Sequence, residues 1–197
     1  MITIYGDPIS GNCLKVKWTA QRLGIAFTWI DVDVLKRETR TPAFLALNPA
    51  GQVPTVVLED GRPLAQSNAI ILTLAEGSAL IPADRYERAR MLEWLFWEQY
   101  SHEPYVAVVR FRVKFQGRRR DELDPALLTG AEAALQRLEV ALAGREHLVG
   151  DALSLADICL VGYTRFAADG GFDLADYPAV EAWVARIEAE LPIKEPR

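Results

Sequence analysis

The chain has 197 residues, half of them apolar, and its 22 Lys and Arg against 27 Asp and Glu give a net charge of −5. That is enough apolar material for a substantial core, in one large domain or two small ones, and an acidic balance offers no general attraction to nucleic acid or anionic lipid. Its two cysteines, Cys13 and Cys159, are too few for a disulfide framework and form no C-x-x-C pair, which fits a reducing cytoplasm. The N-terminus has no basic stretch followed by an apolar run, and the longest apolar segments, such as AIILTLA at 69–75, are too short to span a bilayer.

ITIYG at 2–6 predicts a short strand, and CLKVKWTAQRLG at 13–24 a helix whose Cys13, Val16, Ala20 and Leu23 share one face, closed by Gly24. FTWIDVDV at 27–34 reads as a second strand, parallel to the first because a helix joins them, with a right-handed crossover. TPAFLALNP at 41–49 reads as a small helix with Thr41 and Pro42 at its cap and first turn. Residues 56–58 and 63–65 flank Asp60-Gly61, the dipeptide of a tight hairpin, and Ser67 caps a helix running to Gly77. The order is βαβ, a short α, then ββα.

GSALIPAD at 77–84 loses periodicity and reads as a linker between a domain at 1–76 and an all-helical one at 85–197. Asp84 and Glu87 have capping-box spacing for a long helix through MLEWLFWEQY. Asp124-Pro125 starts another helix, with Leu128, Ala131, Leu135, Leu138 and Leu142 at helical spacing and Gly144 at its end. Ser154 and Asp157 fit an N-cap and N3 pair, and Pro178 opens a last helix on whose face lie Val180, Trp183, Ile187 and Leu191.

Ser10 and Cys13 share a strand-to-helix junction, where either can carry chemistry. Cys13 lies on the apolar helical face, which directs its sulfur to the core, while Ser10 by position alone is a helix N-cap. YGDPISGNC at 5–13, NPAGQVP at 48–54, LAQSNAI at 64–70, LIPAD at 80–84 and GDALSLADICL at 150–160, in this order, resemble the cytosolic glutathione transferases, in particular the bacterial serine-type branches of theta, zeta and nu kind. The likeness spans nearly the whole chain. It implies the glutathione transferase fold, with an α/β thioredoxin-like N-terminal domain followed by an all-α C-terminal domain. It further implies a cytoplasmic homodimer, a glutathione site on each N-terminal domain, and a second-substrate site walled by the helical one.

The resemblance also assigns roles. Ser10 is the expected donor to the glutathione sulfur, and Asn12, whose amide N–H can point at the same atom, is the competing or auxiliary donor; the choice between them stays open. Cysteine-using members of the family carry their cysteine nearer the position of Ser10, so Cys13 departs from that pattern. Val53-Pro54 matches the family's cis-proline turn, in which the residue before Pro offers its backbone N–H and C=O to the cysteinyl part of glutathione; without a ligand, Pro54 reads as the start of an edge strand. Gln52 and Arg40 are placed near the glycyl carboxylate, although a solvated loop arginine describes Arg40 better. Gln66 and Ser67 are expected at the γ-glutamyl end, where a helix start offers N–H groups to a carboxylate and Gln66, standing where many members have Glu, keeps an acceptor without the charge.

Trp94, Phe96, Trp97, Tyr100 and Tyr105 form an aromatic helix of core or dimer contacts, from which Tyr100, His102 and Tyr105 are candidates for the second-substrate cleft. His102 and His147 have no ligand pattern around them, so no metal is expected. Arg110, Arg112, Lys114, Arg118, Arg119 and Arg120 form a basic cluster, able to steer acidic substrates or a partner but read rather as the solvated end of a helix and its loop. The implied function is detoxifying conjugation, the bound thiolate attacking a small apolar electrophile, with glutathione as co-substrate. Dehalogenation, isomerisation and peroxide reduction use the same thiolate, and a non-catalytic binding or scaffold protein is the rival from another class.

Overall fold

In the computed structural model, which describes residues 1–194, the alternation of ITIYG becomes β1 (Ile2–Gly6), with Ile2, Ile4 and Gly6 buried and Thr3 and Tyr5 half-buried. Helix α1 (Gly11–Arg22) follows, then β2 (Phe27–Asp31), which runs parallel to β1. Gly6 is required by this pairing, since a Cβ there would lie 2.5 Å from the ring of Trp29. β2 is shorter than the run 27–34 predicts. Past Val32, Asp33 Oδ1 accepts from the N–H groups of Leu35 and Lys36, both at 2.9 Å, and turns the chain away from the sheet.

The short helix α2 (Pro42–Leu47) starts at Thr41, whose hydroxyl accepts from the Phe44 N–H, and Phe44 packs edge-on against Tyr5 with ring centroids 6.4 Å apart. β3 (Thr55–Val57) and β4 (Pro63–Ala65) pair antiparallel, completing a four-stranded sheet in the order β2-β1-β3-β4. The hairpin is looser than a two-residue turn. Leu58 N–H bonds to Arg62 C=O and Gly61 N–H to Leu58 C=O, leaving residues 59–61 in the loop with Gly61 at φ +85°. Helix α3 (Ser67–Leu74) follows and packs on α1. Ser67 is its first helical residue; the N-cap is Gln66 rather than Ser67. These elements make up a compact unit, Met1–Ser78, whose order βαβαββα is that of the thioredoxin-like fold.

A second compact unit begins at Ala79. Asp84 caps α4 (Arg85–Trp97), its carboxylate accepting from the N–H groups of Tyr86 and Glu87 at 2.9 Å, but the return half of the expected box is replaced: the Glu87 carboxylate lies against Gly150. The long helix predicted through residue 100 widens into a π-turn over Glu98–His102 and resumes as α5 (Glu103–Arg110). Pro104 supplies the reason, since it has no N–H and its ring needs room against the carbonyl four residues back. Helices α6 (Pro125–Leu142), α7 (Leu155–Thr164) and α8 (Pro178–Glu190) complete the unit. Every residue of α7 is buried. No helix among the described residues is long and apolar enough to cross a membrane.

The centre of this helical unit is the start of α7. Ser154 and Asp157 form a capping box, and the fully buried Asp157 carboxylate accepts four hydrogen bonds: from the Ser154 N–H and hydroxyl at 3.0 Å, the Leu148 N–H at 2.9 Å and the Trp183 indole N–H at 3.0 Å. Burial pushes its pKa above the ordinary carboxylate value, against the pull of those donors. Ser154→Ala is expected to cost about 1 kcal/mol. Asp157→Ala should cost about 3–5 kcal/mol, since it strands three buried N–H donors in two loops and a helix. Thermal melts of the two variants check this, and equal shifts in midpoint would show that the bonds to Leu148 and Trp183 carry no weight.

Candidate functional site

Sheet register brings three chain segments to one edge. Thr55 is paired with Tyr5 on one side and Ala65 on the other. The chain leaving β1 through Asp7 to Ser10, the chain entering β3 through Val53-Pro54, and the chain leaving β4 through Gln66-Ser67 therefore emerge together.

The first of these segments is shaped by Asp7, which is 4% exposed. Its Oδ1 accepts from the Ile9 N–H at 3.0 Å, its Oδ2 from the Val34 N–H at 2.9 Å, and its carbonyl from the Ser10 N–H at 3.0 Å. Ser10 then caps α1, its Oγ accepting from the Cys13 N–H at 3.4 Å. Cys13 is fully buried, with the Asp7 N–H 3.4 Å from its sulfur, and burial pushes the thiol up to about 12, outweighing the hydrogen bonds from Ser10 and Asp7 that favour the thiolate. At neutral pH this is a protonated core thiol, while the Ser10 hydroxyl is only half-buried.

Asn12, also half-buried in the first turn of α1, links two helices. Its Oδ1 accepts from Lys15 Nζ at 2.7 Å and from the Ser67 hydroxyl at 3.0 Å. The proton of Ser67 is thus engaged by Asn12, so the group that α3 has to offer an incoming carboxylate is its set of first-turn N–H groups. Before it, Gln66 is held at φ +71°, a conformation that a side chain adopts only under constraint, with its side chain exposed.

The 48–55 loop is fastened from inside. Buried Asn48 donates through Nδ2 to the Gln52 carbonyl at 2.7 Å and to Thr55 Oγ1 at 3.1 Å, and accepts from the Ala50 N–H at 3.1 Å. The Gln52 side chain is exposed, and the Val53–Pro54 peptide bond is cis. Neither the N–H nor the C=O of Val53 has a hydrogen-bond partner among the described residues. Arg40 lies over Gly51, where a Cβ would come 2.5 Å from its Nη1, and donates to the Ala50 carbonyl at 3.3 Å. The first unit therefore brings Ser10, Asn12, Val53, Pro54, Gln66 and Ser67 to one edge, with Gln52 and Arg40 on the adjoining loop.

Candidates in the helical unit fare differently. Tyr100 is 84% exposed, and the Tyr105 ring lies against Gly130 of α6, where it leaves no room for a Cβ. His102 is fully buried, and its Nε2 lies 3.0 Å from the Thr164 hydroxyl, which itself donates to the Leu160 carbonyl. It has no surface to present to a small molecule, which corrects its assignment to the second-substrate cleft. Of the basic cluster, Arg112, Lys114, Arg118 and Arg119 are exposed, as a solvated helix end and loop would have them, while Arg110 and Arg120 are drawn onto the protein. Arg110 is 6% exposed, bonds Asp169 at 2.9 Å and covers the Phe166 ring at 4.0 Å; Lys114 reaches the same carboxylate; Arg120 donates to the Gly170 carbonyl. Arg118 and Arg119 pair with Glu122 and Asp121. Among the described residues no group of three or more His, Cys, Asp or Glu is placed to hold a metal ion.

Three residues that hold this edge together escaped the sequence reading. Asp7, Asn48 and Lys15 were not singled out there. The available signal was Lys15 itself, flanked by Leu14 and Val16 in a run that buries on nearly every side. For the thiols the expectation is direct: at neutral pH both buried cysteines should react with a thiol-specific reagent only as fast as the chain unfolds. Rapid labelling of Cys13 in the native protein would contradict its buried, protonated state. Because the folded thiol keeps its proton to about 12 while the ordinary value is 9.0, the folded state binds more protons between those limits. Stability should therefore fall as pH rises above 9, less steeply in Cys13→Ala.

Residues 9–76 match the family model for the glutathione S-transferase N-terminal domain and residues 95–190 that for the C-terminal domain. Among solved structures, a glutathione S-transferase from Pseudomonas fluorescens Pf-5 is 44% identical, with a TM-score of 0.91 over 95% of this chain and 94% of that one. Another from Xanthobacter autotrophicus Py2 is also 44% identical, with a TM-score of 0.89 over 96% and 93%. Glutathione S-transferase F10 of Arabidopsis thaliana is 27% identical over 207 residues, covering 99% of this chain and 95% of that protein. With both domains matched in order, the chain belongs to the glutathione S-transferase family.

Proposed function

We propose that this glutathione transferase binds reduced glutathione along the edge formed by residues 7–12, 52–54 and 66–67, and that the Ser10 hydroxyl stabilises the bound thiolate. The observation that carries the reading is the pairing of Thr55 with both Tyr5 and Ala65, which gathers a half-buried hydroxyl, an unpaired backbone step and a helix start at one place. Each matches one part of the tripeptide. Val53 N–H and C=O complement an extended cysteinyl residue as an added strand would. The first turn of α3 suits the γ-glutamyl carboxylate, with the exposed Gln66 carbonyl as acceptor for the ammonium. Gln52 and Arg40 lie where the glycyl carboxylate would follow.

Sulfur activation is an electrostatic task. A free thiol titrates at about 8.5, so at pH 7 only a few per cent is thiolate; lowering its pKa by roughly two units stabilises the anion by about 2.7 kcal/mol and makes it the major form. Ser10 can contribute because its O–H, which hydrogen-bonds the Cys13 thiol while its oxygen accepts from the Cys13 N–H, can turn to donate to an incoming sulfur, and because the N-terminus of α1 adds favourable partial charge. The thiolate then attacks an electrophilic carbon of a small, mostly apolar compound, forming the S–C bond as the leaving group or π-electron pair departs. We infer that the enzyme works as a cytoplasmic homodimer in detoxifying conjugation, in keeping with its family.

Titration of bound glutathione by thiolate ultraviolet absorbance tests this. The wild-type midpoint should lie about two units below that of free glutathione, and Ser10→Ala should raise it by about one unit or more and lower turnover, with little change in glutathione affinity. Binding with an unmoved midpoint would instead indicate a glutathione-binding scaffold, and loss of activity in Cys13→Ala alone would show that Cys13 rather than Ser10 carries the chemistry.

A further inference from the structure

Lys15 is fully buried, a costly place for an amine, on a helix whose neighbouring Cys13, Leu14, Val16 and Trp18 are buried as well. It stands five residues beyond Ser10, and its Nζ is 2.7 Å from Asn12 Oδ1, the oxygen that also accepts from the Ser67 hydroxyl. Because a lysine amine donates, the oxygen arm of the Asn12 carboxamide faces it; turning the amide over would set donor against donor at Lys15, and it is this contact, not the Ser67 hydroxyl, which can donate or accept, that fixes the orientation. The planar group then directs Nδ2 to its opposite side, where it has no hydrogen-bond partner among the described residues.

We propose that Lys15 is a positioning residue for sulfur activation: it locks the Asn12 carboxamide so that Oδ1 engages Ser67 and Nδ2 is presented to the sulfur of glutathione. The proposal rests on the reading of the glutathione site given above. It makes Asn12 a second donor beside Ser10, and it joins the γ-glutamyl end of the site to the sulfur end through one amide. Lys15 acts through Asn12 and touches no substrate.

The test is the thiolate titration of the glutathione complex in a double-mutant cycle. Lys15→Met and Asn12→Ala should each raise the midpoint by about half to one unit, a three- to tenfold loss of thiolate below the midpoint. The double variant should titrate no higher than either single one, and Lys15→Arg, which keeps a donor, should recover most of the shift. A wild-type midpoint in Lys15→Met overturns the proposal, as do additive effects, which would mean that Lys15 acts on sulfur by its own charge. Should Lys15→Met fail to fold, Asn12→Asp decides: it can accept from both Lys15 and Ser67 but has no N–H, so a wild-type midpoint there is equally fatal. An unshifted midpoint in the wild-type complex removes the preceding reading of the site, whereas a shifted wild type with an indifferent Lys15→Met removes this inference alone.

Discussion

One residue, Thr55, fixes the geometry on which the candidate site depends. It is fully buried, hydrogen-bonded as a strand residue between Tyr5 and Ala65, and its hydroxyl donates to the Gln52 carbonyl at 3.2 Å while accepting from Asn48. Side chains alternate across a sheet, so a slip of one residue in either pairing would carry Thr55 and its neighbours to the opposite face. With the register held, the distance between the β1–α1 turn and the start of α3 is no longer free. The 55-residue separation between Asn12 and Ser67 closes to a single hydrogen bond.

Both compact units solve the problem of irregular backbone in the same way, with a buried carboxylate that collects N–H groups. Asp7 takes those of Ile9 and Val34, and Asp157 takes those of Leu148 and Ser154 together with the Trp183 indole. A backbone donor left unpaired in a core is expensive, so such carboxylates determine loop conformation more firmly than apolar contacts do. In the first unit this has a functional consequence. The turn that Asp7 holds is the one that presents Ser10, which gives a small, otherwise flexible hydroxyl a defined place.

The polar groups of the site are shared rather than separate. Ser10 caps a helix and faces a core thiol; Asn12 serves Lys15 and Ser67 at once; Asn48 holds the carbonyl of Gln52. Capping and catalysis are therefore not competing descriptions of Ser10. A capping serine uses its lone pairs on the helix, and its O–H, here hydrogen-bonded to the Cys13 thiol, can turn to an anion outside.

Sequence pattern went far with this chain because most of its elements announce themselves locally. Period-two alternation in ITIYG, period-three-and-a-half leucines in 128–142, Thr41-Pro42, Asp124-Pro125 and Ser154 with Asp157 each depend on residues within four positions, and each became the element it predicts. The end of β2 at Asp31, the α3 cap at Gln66 and the Glu87 carboxylate differ by local competition between side chains and backbone.

By itself, then, the sequence determined the order of strands and helices apart from the break before α5, most of their caps, and the family. What only the tertiary structure decided was which polar side chains are buried and which way they face: His102 against Thr164, Arg110 against Asp169, Lys15 and Ser67 on Asn12. Three of those four contacts join residues 62, 59 and 55 positions apart. The fourth is local, yet it too takes its meaning from burial, because a lysine on a helix is unremarkable in water and becomes a fixed donor only when another helix closes over it.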